Sequence, residues 1–307
     1  MIKISIIIPT YNEAGSIEAL IHRVVDSVQT IYEYEILVID DGSLDNTARK
    51  VAHYQILNPR VKLISLARNT GHMAALTAGL DHCDGDWIVT IDADGQDPPE
   101  LIPQMVTKAT EENVDICFMV RADRKNDPFR HRFFSPIFYK LLNRASGNIV
   151  PLQAADFRLM SKRVIYALRQ LPERDRLYRV ITPDLKFGST TMKYIRQERV
   201  AGESKYKFTS LAKLGVRSLL ATTGAPLRWL SVASFFVALI SILVSSIAFV
   251  RGIIGADIPG WASVAFMISI MMTFQAIAIG IISEFLLTAI ADVRQRPIYQ
   301  LKSKNES

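Results

Sequence analysis

The run Val89-Thr90-Ile91-Asp92-Ala93-Asp94-Gly95-Gln96-Asp97 decides how the first half of this chain is read. It climbs out of an apolar stretch and ends on three acidic residues within six positions. One acid would be enough to cap a following helix. Two acids with a single residue between them repel each other at neutral pH. An Asp-x-Asp pair in that place calls for a positive partner.

Outward from this run, residues 1 to about 120 alternate between two patterns. "KISIIIP", "YEILVIDD", "VKLISLA", "DWIVTID" and "VDICFMV" read as five strands. "SIEALIHRVVDSV", "DNTARKVAHYQ" with Asp45 near its start, "GHMAALTAGLDHC" and the proline-led "PPELIPQMVTKATEEN" read as the helices between them. Apolar strands separated by helices imply an α/β fold with a mostly parallel sheet covered on both faces. In such sheets ligands bind beyond the carboxyl ends of the strands. Asp92 ends the fourth strand and Asp40 and Asp41 end the second, while Pro9, Tyr11, Asn12 and Glu13 follow the first. These groups are expected on one rim. No G-x-G-x-x-G follows strand one and no G-x-x-x-x-G-K-[ST] occurs, which disfavours a dinucleotide site and excludes a P-loop. An acidic rim holding a hard cation would suit a diphosphate, because Mg²⁺ takes one or two carboxylates together with substrate phosphates.

The chain has 307 residues and a formal net charge of +6. That charge alone suits nucleic acid, an anionic membrane or a phosphorylated substrate. Only two cysteines are present, Cys83 and Cys117, without CxxC or a histidine cluster, so a disulfide framework or structural zinc is not expected. The opening "MIKISIIIPTYNE" is too short an apolar run for a signal peptide. Leu230 to Val250 carries no charge, and Trp261 to Ile290 carries one acid, Glu284. Each is long enough to span a bilayer. Trp229 and Trp261 lie at their margins; Lys213, Arg217, Arg228, Arg294, Arg296, Lys302 and Lys304 flank the outer ends, with only Arg251 in the loop. The positive-inside rule then puts both termini in the cytoplasm. The expected division is a catalytic domain over 1–205, juxtamembrane amphipathic helices over 206–229, a transmembrane hairpin over 230–290 and a cytoplasmic tail over 291–307.

The segments "IIIPTYNE", "VIDDGSLDNT", "RNTGHMAALTAGL", "IDADGQDPPEL", "ADFRLMSKRV", "LPERDR" and "ERVAGESKY" resemble, in this order, the family 2 glycosyltransferases. Within them the likeness is to the polyprenyl-phosphate glycosyltransferase group. The resemblance covers roughly residues 1–230, and the paired apolar segments suit the bactoprenol branch. It implies an A-type glycosyltransferase fold that uses a nucleotide-diphosphate sugar, UDP-glucose or another UDP-hexose, with Mg²⁺ or Mn²⁺. Pro9, Tyr11, Glu13 and Asp41 would line the nucleoside pocket. Asp92 and Asp94 would hold the metal, Gln96 would lie near the sugar or diphosphate, and Lys205 would meet the diphosphate. Asp156 matches the position of the catalytic base, with Arg158 and Ser161 close to the transferred groups. The implied partners are polyprenyl phosphate, the inner membrane as a multi-pass protein and further copies of the chain, but no nucleic acid.

The chemistry qualifies the role of Asp156. A lipid phosphate monoester has a second pKa of about 6, so at neutral pH little proton is left for a base to remove. Asp156 is then expected to orient Arg158 or to hold the metal side of the site; the plainer reading makes it the N-cap of a helix "FRLMSKRVIYALRQL". Arg121, Arg124 and Arg132 crowd cations into the loop after strand five, where they would attract the acceptor phosphate. A processive synthase is a poor fit, since Ala225 stands where a Gln-x-x-Arg-Trp motif would need glutamine. A silent nucleotide-sugar-binding scaffold is opposed by the full set of Asp92, Asp94, Asp156 and Lys205.

Overall fold

Ile4, Ile6 and Ile8 turn to one face of the first strand and Ile7 to the other, and all four are fully buried. A strand with no polar face can exist only in the middle of a sheet covered on both sides. The computed structural model describes residues 2–122, 154–173, 176–196, 261–294 and 296–302, with scattered helical residues between 230 and 247. In chain order the elements are β1 (Lys3–Thr10), α1 (Ile17–Val28), β2 (Glu33–Asp40), α2 (Thr47–Leu57), β3 (Val61–Ser65), α3 (His72–His82) and β4 (Trp87–Thr90). They continue with α4 (Ile102–Glu111) after a 3₁₀ turn, β5 (Ile116–Arg121), β6 (Ala154–Ser161), α5 (Lys162–Arg169), α6 (Tyr178–Asp184), β7 (Ser189–Tyr194) and α7 (Trp261–Val293).

The seven strands are ordered β3-β2-β1-β4-β6-β5-β7. All neighbours are parallel except β6, which runs antiparallel to both β4 and β5. One core lies between the sheet and α1 and α4, with Leu20, Ile21, Val24, Met105 and Val106 against alternate strand residues. The opposite core uses α3, α5 and α6 through Leu76, Leu80, Val164, Leu168 and Tyr178. The five strands and four helices expected before residue 121 are all present. The sixth strand is where the reading changes. Asp156 lies inside β6 and not at a helix start; the helix begins at Lys162, and its N-cap is Ser161, whose side chain accepts from the Val164 amide. Reversal of β6 carries Asp156 back past Thr90 to the rim where Asp92 leaves β4.

Residues 296–302 return to this same body. Ala67 N–H donates to the Gln300 carbonyl at 2.8 Å, Lys302 N–H donates to the Ser65 carbonyl at 2.8 Å, and Leu66 bridges Leu301 antiparallel. The backbone at the end of β3, from Ser65 to Ala67, is thereby paired. The chain separates into two units, residues 1–207 with 296–307, and residues 208–295. In the second unit α7 is one continuous helix, and its stretch Ile270–Leu287 is long and apolar enough to cross a membrane. The described residues between 230 and 247 are helical, but the turn of the expected hairpin and the expected amphipathic segment 206–229 lie outside the described residues.

Gly79 marks the tightest approach of α3 to the sheet, since a Cβ there would stand 2.3 Å from Ile7 Cγ2 and 3.3 Å from Ile39 Cγ1. Gly79→Ala should destabilise the protein by about 1–3 kcal/mol through overpacking. A thermal midpoint equal to wild type would disprove this contact.

Candidate active site

Two loops at the carboxyl ends of β1 and β2 lock into each other. The Asn12 amide donates to Ser43 Oγ at 2.9 Å, and Asn12 Oδ1 accepts from the Leu44 amide at 2.8 Å. The Glu13 amide donates to Thr47 Oγ1 at 2.9 Å, and Ser16 Oγ donates to the Ala93 carbonyl at 2.9 Å. Asn12 holds a positive φ of 54°, a conformation asparagine tolerates. Asp41, buried behind these loops, accepts from the amides of Thr70 at 2.7 Å and Gly71 at 2.8 Å. Burial raises its pKa despite those two donors. Gly71 has φ +106°, a region open mainly to glycine, and the turn it makes delivers His72 as the first residue of α3. Asp41 therefore positions an imidazole.

His72 Nε2 faces two carboxylates, Asp92 Oδ1 and Asp156 Oδ2, each at 3.9 Å. Asp156 is clamped from both sides: Arg158 Nη2 donates to Oδ1 at 2.8 Å, and Arg179 Nη2 donates to Oδ2 at 2.6 Å. Burial alone would raise the pKa of Asp156, but Arg179 and Arg158 outweigh it and hold the carboxyl well below its usual range. Asp92 behaves oppositely, because burial, with Asp156 and Asp94 nearby, pushes its pKa up against the pull of His72. Arg158 is 1% exposed; its Nη1 also donates to the Tyr178 carbonyl at 2.9 Å.

The second acid of the opening pair has its own partners. Asp94 Oδ1 accepts from the Gln96 amide at 3.1 Å, and Oδ2 accepts from Arg196 Nη2 at 3.1 Å. Behind them Tyr194 Oη donates to Asp97 Oδ1 at 2.5 Å. Burial, reinforced by Asp92, pushes Asp97 up to about 6. Asp92, Asp94, Asp97 and Asp156 thus share one rim with Arg158, Arg179 and Arg196.

His72, Asp92 and Asp156 offer ligand atoms that all lie within 4.8 Å of one another. One imidazole and carboxylate oxygens are donors that suit a divalent ion such as Mg²⁺ or Mn²⁺. Within this group Asp156 is the acid whose two oxygens both already accept from guanidiniums.

Residues 5–169 match the family described as glycosyl transferase family 2. Bactoprenol glucosyl transferase of Shigella phage SfX is 33% identical over 98% of this chain and 99% of its own length. The chain belongs to glycosyl transferase family 2. An uncharacterized glycosyltransferase of Bacillus subtilis, YkcC, is also 33% identical, over 97% of this chain and 93% of its own. Among solved structures, glucosyl-3-phosphoglycerate synthase from Mycobacterium tuberculosis, in complex with Mn²⁺, UDP and phosphoglyceric acid, aligns with a TM-score of 0.53. That alignment covers 73% of this chain and 79% of the other at 18% identity, and it shows the fold alone. The expected family and the expected A-type, Rossmann-like fold are therefore correct, with a mixed sheet.

In this glycosyltransferase Asp92, Asp94, Gln96, Asp156 and Arg158 lie toward one rim, with Pro9 near the end of β1 and Tyr11, Glu13 and Asp41 on the adjoining loops. Arg121 ends β5 beside Tyr194 and Asp97. Ser161 is not brought there. It pairs with Trp87 at the opposite end of β4, three residues or about 10 Å along the strand from Arg158. Its hydroxyl donates to Asp115 Oδ1 at 2.7 Å while capping α5, so a place near the acceptor is withdrawn. Lys205, Arg124 and Arg132 lie outside the described residues. Sequence reasoning missed His72, Arg179, Arg196 and Asp97 as members of the site. Asp97 stood in the quoted run; the other three carry no local signal.

Breaking a buried pair by removing one charge costs about 3–5 kcal/mol. Asp156→Asn should lower stability by that order at pH 7, because it leaves Arg158 without its counter-charge. A depressed carboxyl contributes stability above its unfolded pKa of about 4 and loses it as pH falls further, so the deficit should shrink below pH ~4. Chemical denaturation of both proteins at pH 7 and at acid pH checks this, and equal stability at pH 7 would refute it.

Proposed function

We propose that this glycosyltransferase moves a hexose, with inversion, from UDP-glucose or another UDP-hexose to a polyprenyl phosphate at the cytoplasmic leaflet. The observation that carries the reading is the doubly clamped Asp156 next to the His72, Asp92 and Asp94 donors. One end of the rim suits a metal-bound diphosphate, and the other presents guanidinium to a second anion. The name of the phage relative, a bactoprenol glucosyl transferase aligned over nearly the whole chain, supports the lipid acceptor.

A bound Mg²⁺ or Mn²⁺ would neutralise the charge that develops on the departing diphosphate. Asp92 and Asp94 would hold that ion, with His72 beside Asp92. Asp41 would take part in nucleoside recognition by fixing the turn before α3, alongside Pro9, Tyr11 and Glu13. Gln96 and Lys205 would contact the diphosphate side. Asp156 has the wrong proton affinity for a strong base, since its carboxyl is held low by Arg179 and Arg158. It would instead aim the two guanidiniums at the incoming phosphate, which needs little help because it is mostly ionised at pH 7. Arg121, Arg124 and Arg132 would draw the phosphate toward the rim. We assign 1–205 as the cytoplasmic catalytic part and 230–290 as a membrane hairpin, joined by interfacial helices over 206–229, and expect assembly of several copies.

Membranes carrying the protein should form chloroform-extractable labelled product from a radiolabelled UDP-hexose and lose that activity in EDTA. Asp94→Asn should reduce transfer by at least about a hundredfold, the scale seen when a group stabilising transition-state charge is removed. Full activity without divalent ion would sink the assignment. For the topology, Ser263→Cys should react with an impermeant thiol reagent applied from outside; reaction only from the cytoplasmic side would overturn the hairpin's orientation.

A further inference from the structure

Arg196 and Asp97 are each incompletely satisfied. Arg196 Nη2 sits on Asp94 Oδ2 at 3.1 Å, while its buried Nε makes no hydrogen bond to any described residue and lies 4.0 Å from Asp97 Oδ1. Asp97 is fully buried; Tyr194 serves its Oδ1, and its Oδ2 has no hydrogen-bond partner among the described residues. Buried orphans of this kind are rare and call for an explanation. An arginine and a divalent ion also cannot share one carboxylate oxygen without strong repulsion. A shift of about 1 Å would turn the 4.0 Å separation from Asp97 into a charge-assisted hydrogen bond.

We infer that Arg196 is a two-seat cation: it competes with the divalent ion for Asp94 and, when the ion takes that carboxylate, moves onto Asp97. Asp97 is then a positioning residue for metal binding although it is no ligand itself. The inference rests on the proposal that Asp94 binds the ion. It predicts effects of opposite sign from two neighbouring residues. Arg196→Gln removes the competitor and tightens Mn²⁺ binding. Asp97→Asn removes the second seat, keeps Arg196 on Asp94 and weakens binding.

The decisive measurement is Mn²⁺ affinity of the purified full-length protein, by titration calorimetry or by the free-Mn²⁺ paramagnetic resonance signal. With a partly exposed ion pair contributing up to about 1 kcal/mol, R196Q should bind roughly fivefold tighter and D97N several-fold weaker than wild type. In the R196Q background, D97N should have no further effect, whereas a simple loss of negative field would weaken binding in both backgrounds. Equal weakening in both backgrounds, or no tightening in R196Q, would overturn the inference. Should D97N fail to fold, Tyr194→Phe tests the same point: stripping Asp97 of its hydroxyl donor should draw Arg196 over and tighten Mn²⁺, again only while Arg196 is present. Asp94→Asn separates the two ideas. Loss of Mn²⁺ binding there with uncoupled Arg196 and Asp97 defeats the two-seat arrangement alone; unchanged binding in D94N defeats the metal assignment as well.

Discussion

Burying Arg158 is the constraint around which the catalytic unit is arranged. Taking a guanidinium out of water costs several kcal/mol unless opposite charge and acceptors replace the solvent. Asp156 supplies the charge, the Tyr178 carbonyl accepts a hydrogen bond, and Phe118 lies under the guanidinium at 6.0 Å. Those partners come from β6, from the start of α6 and from β5. The pair therefore ties the one antiparallel strand to elements on either side of it. It also keeps the Asp156 carboxyl hydrogen-bonded and, with Arg179, well below its usual pKa range.

The rim follows from that centre. Thr90 Oγ1 donates to the Asp156 carbonyl, so the end of β4 and the start of β6 are held together where Asp92 emerges. Asp41 does the same from the other side by holding the turn that presents His72. Charges alternate because acids crowded in a half-buried cleft would otherwise drive one another to protonate. Asp92 and Asp97, raised by burial and by neighbouring acid, show how near the arrangement is to that limit.

Most of the fold could be read in advance because its strands are long, apolar and bounded by helices of clear period. The strand over Ala154–Ser161 could not, since "ADFRLMS" mixes an acid and an arginine into an apolar run. Those charges look like a helix start until the partner strands bury them as a pair. The acids of the rim were legible for the opposite reason, as local clusters after strands. Arg179 and Arg196 were not, because one lies in the first turn of the short α6 and the other just past β7, and they meet their carboxylates 23 and 102 residues away in sequence. Ser161 was misplaced by proximity in sequence to Asp156, although an antiparallel strand carries it to the far end of the sheet.

The return of residues 296–302 to β3 changes what the segment 208–295 is, in the language of chain topology. It is an insertion within the catalytic unit and not an appendage at its end. A single cut inside that segment would leave two fragments still held by the Leu66–Leu301 bridge and by the Tyr299 hydroxyl on Asp81 Oδ2 at 3.1 Å. A chain shortened to its first 207 residues would keep the seven strands of the sheet but bare the backbone from Ser65 to Ala67 at the end of β3. Such an edge pairs readily with another copy of itself.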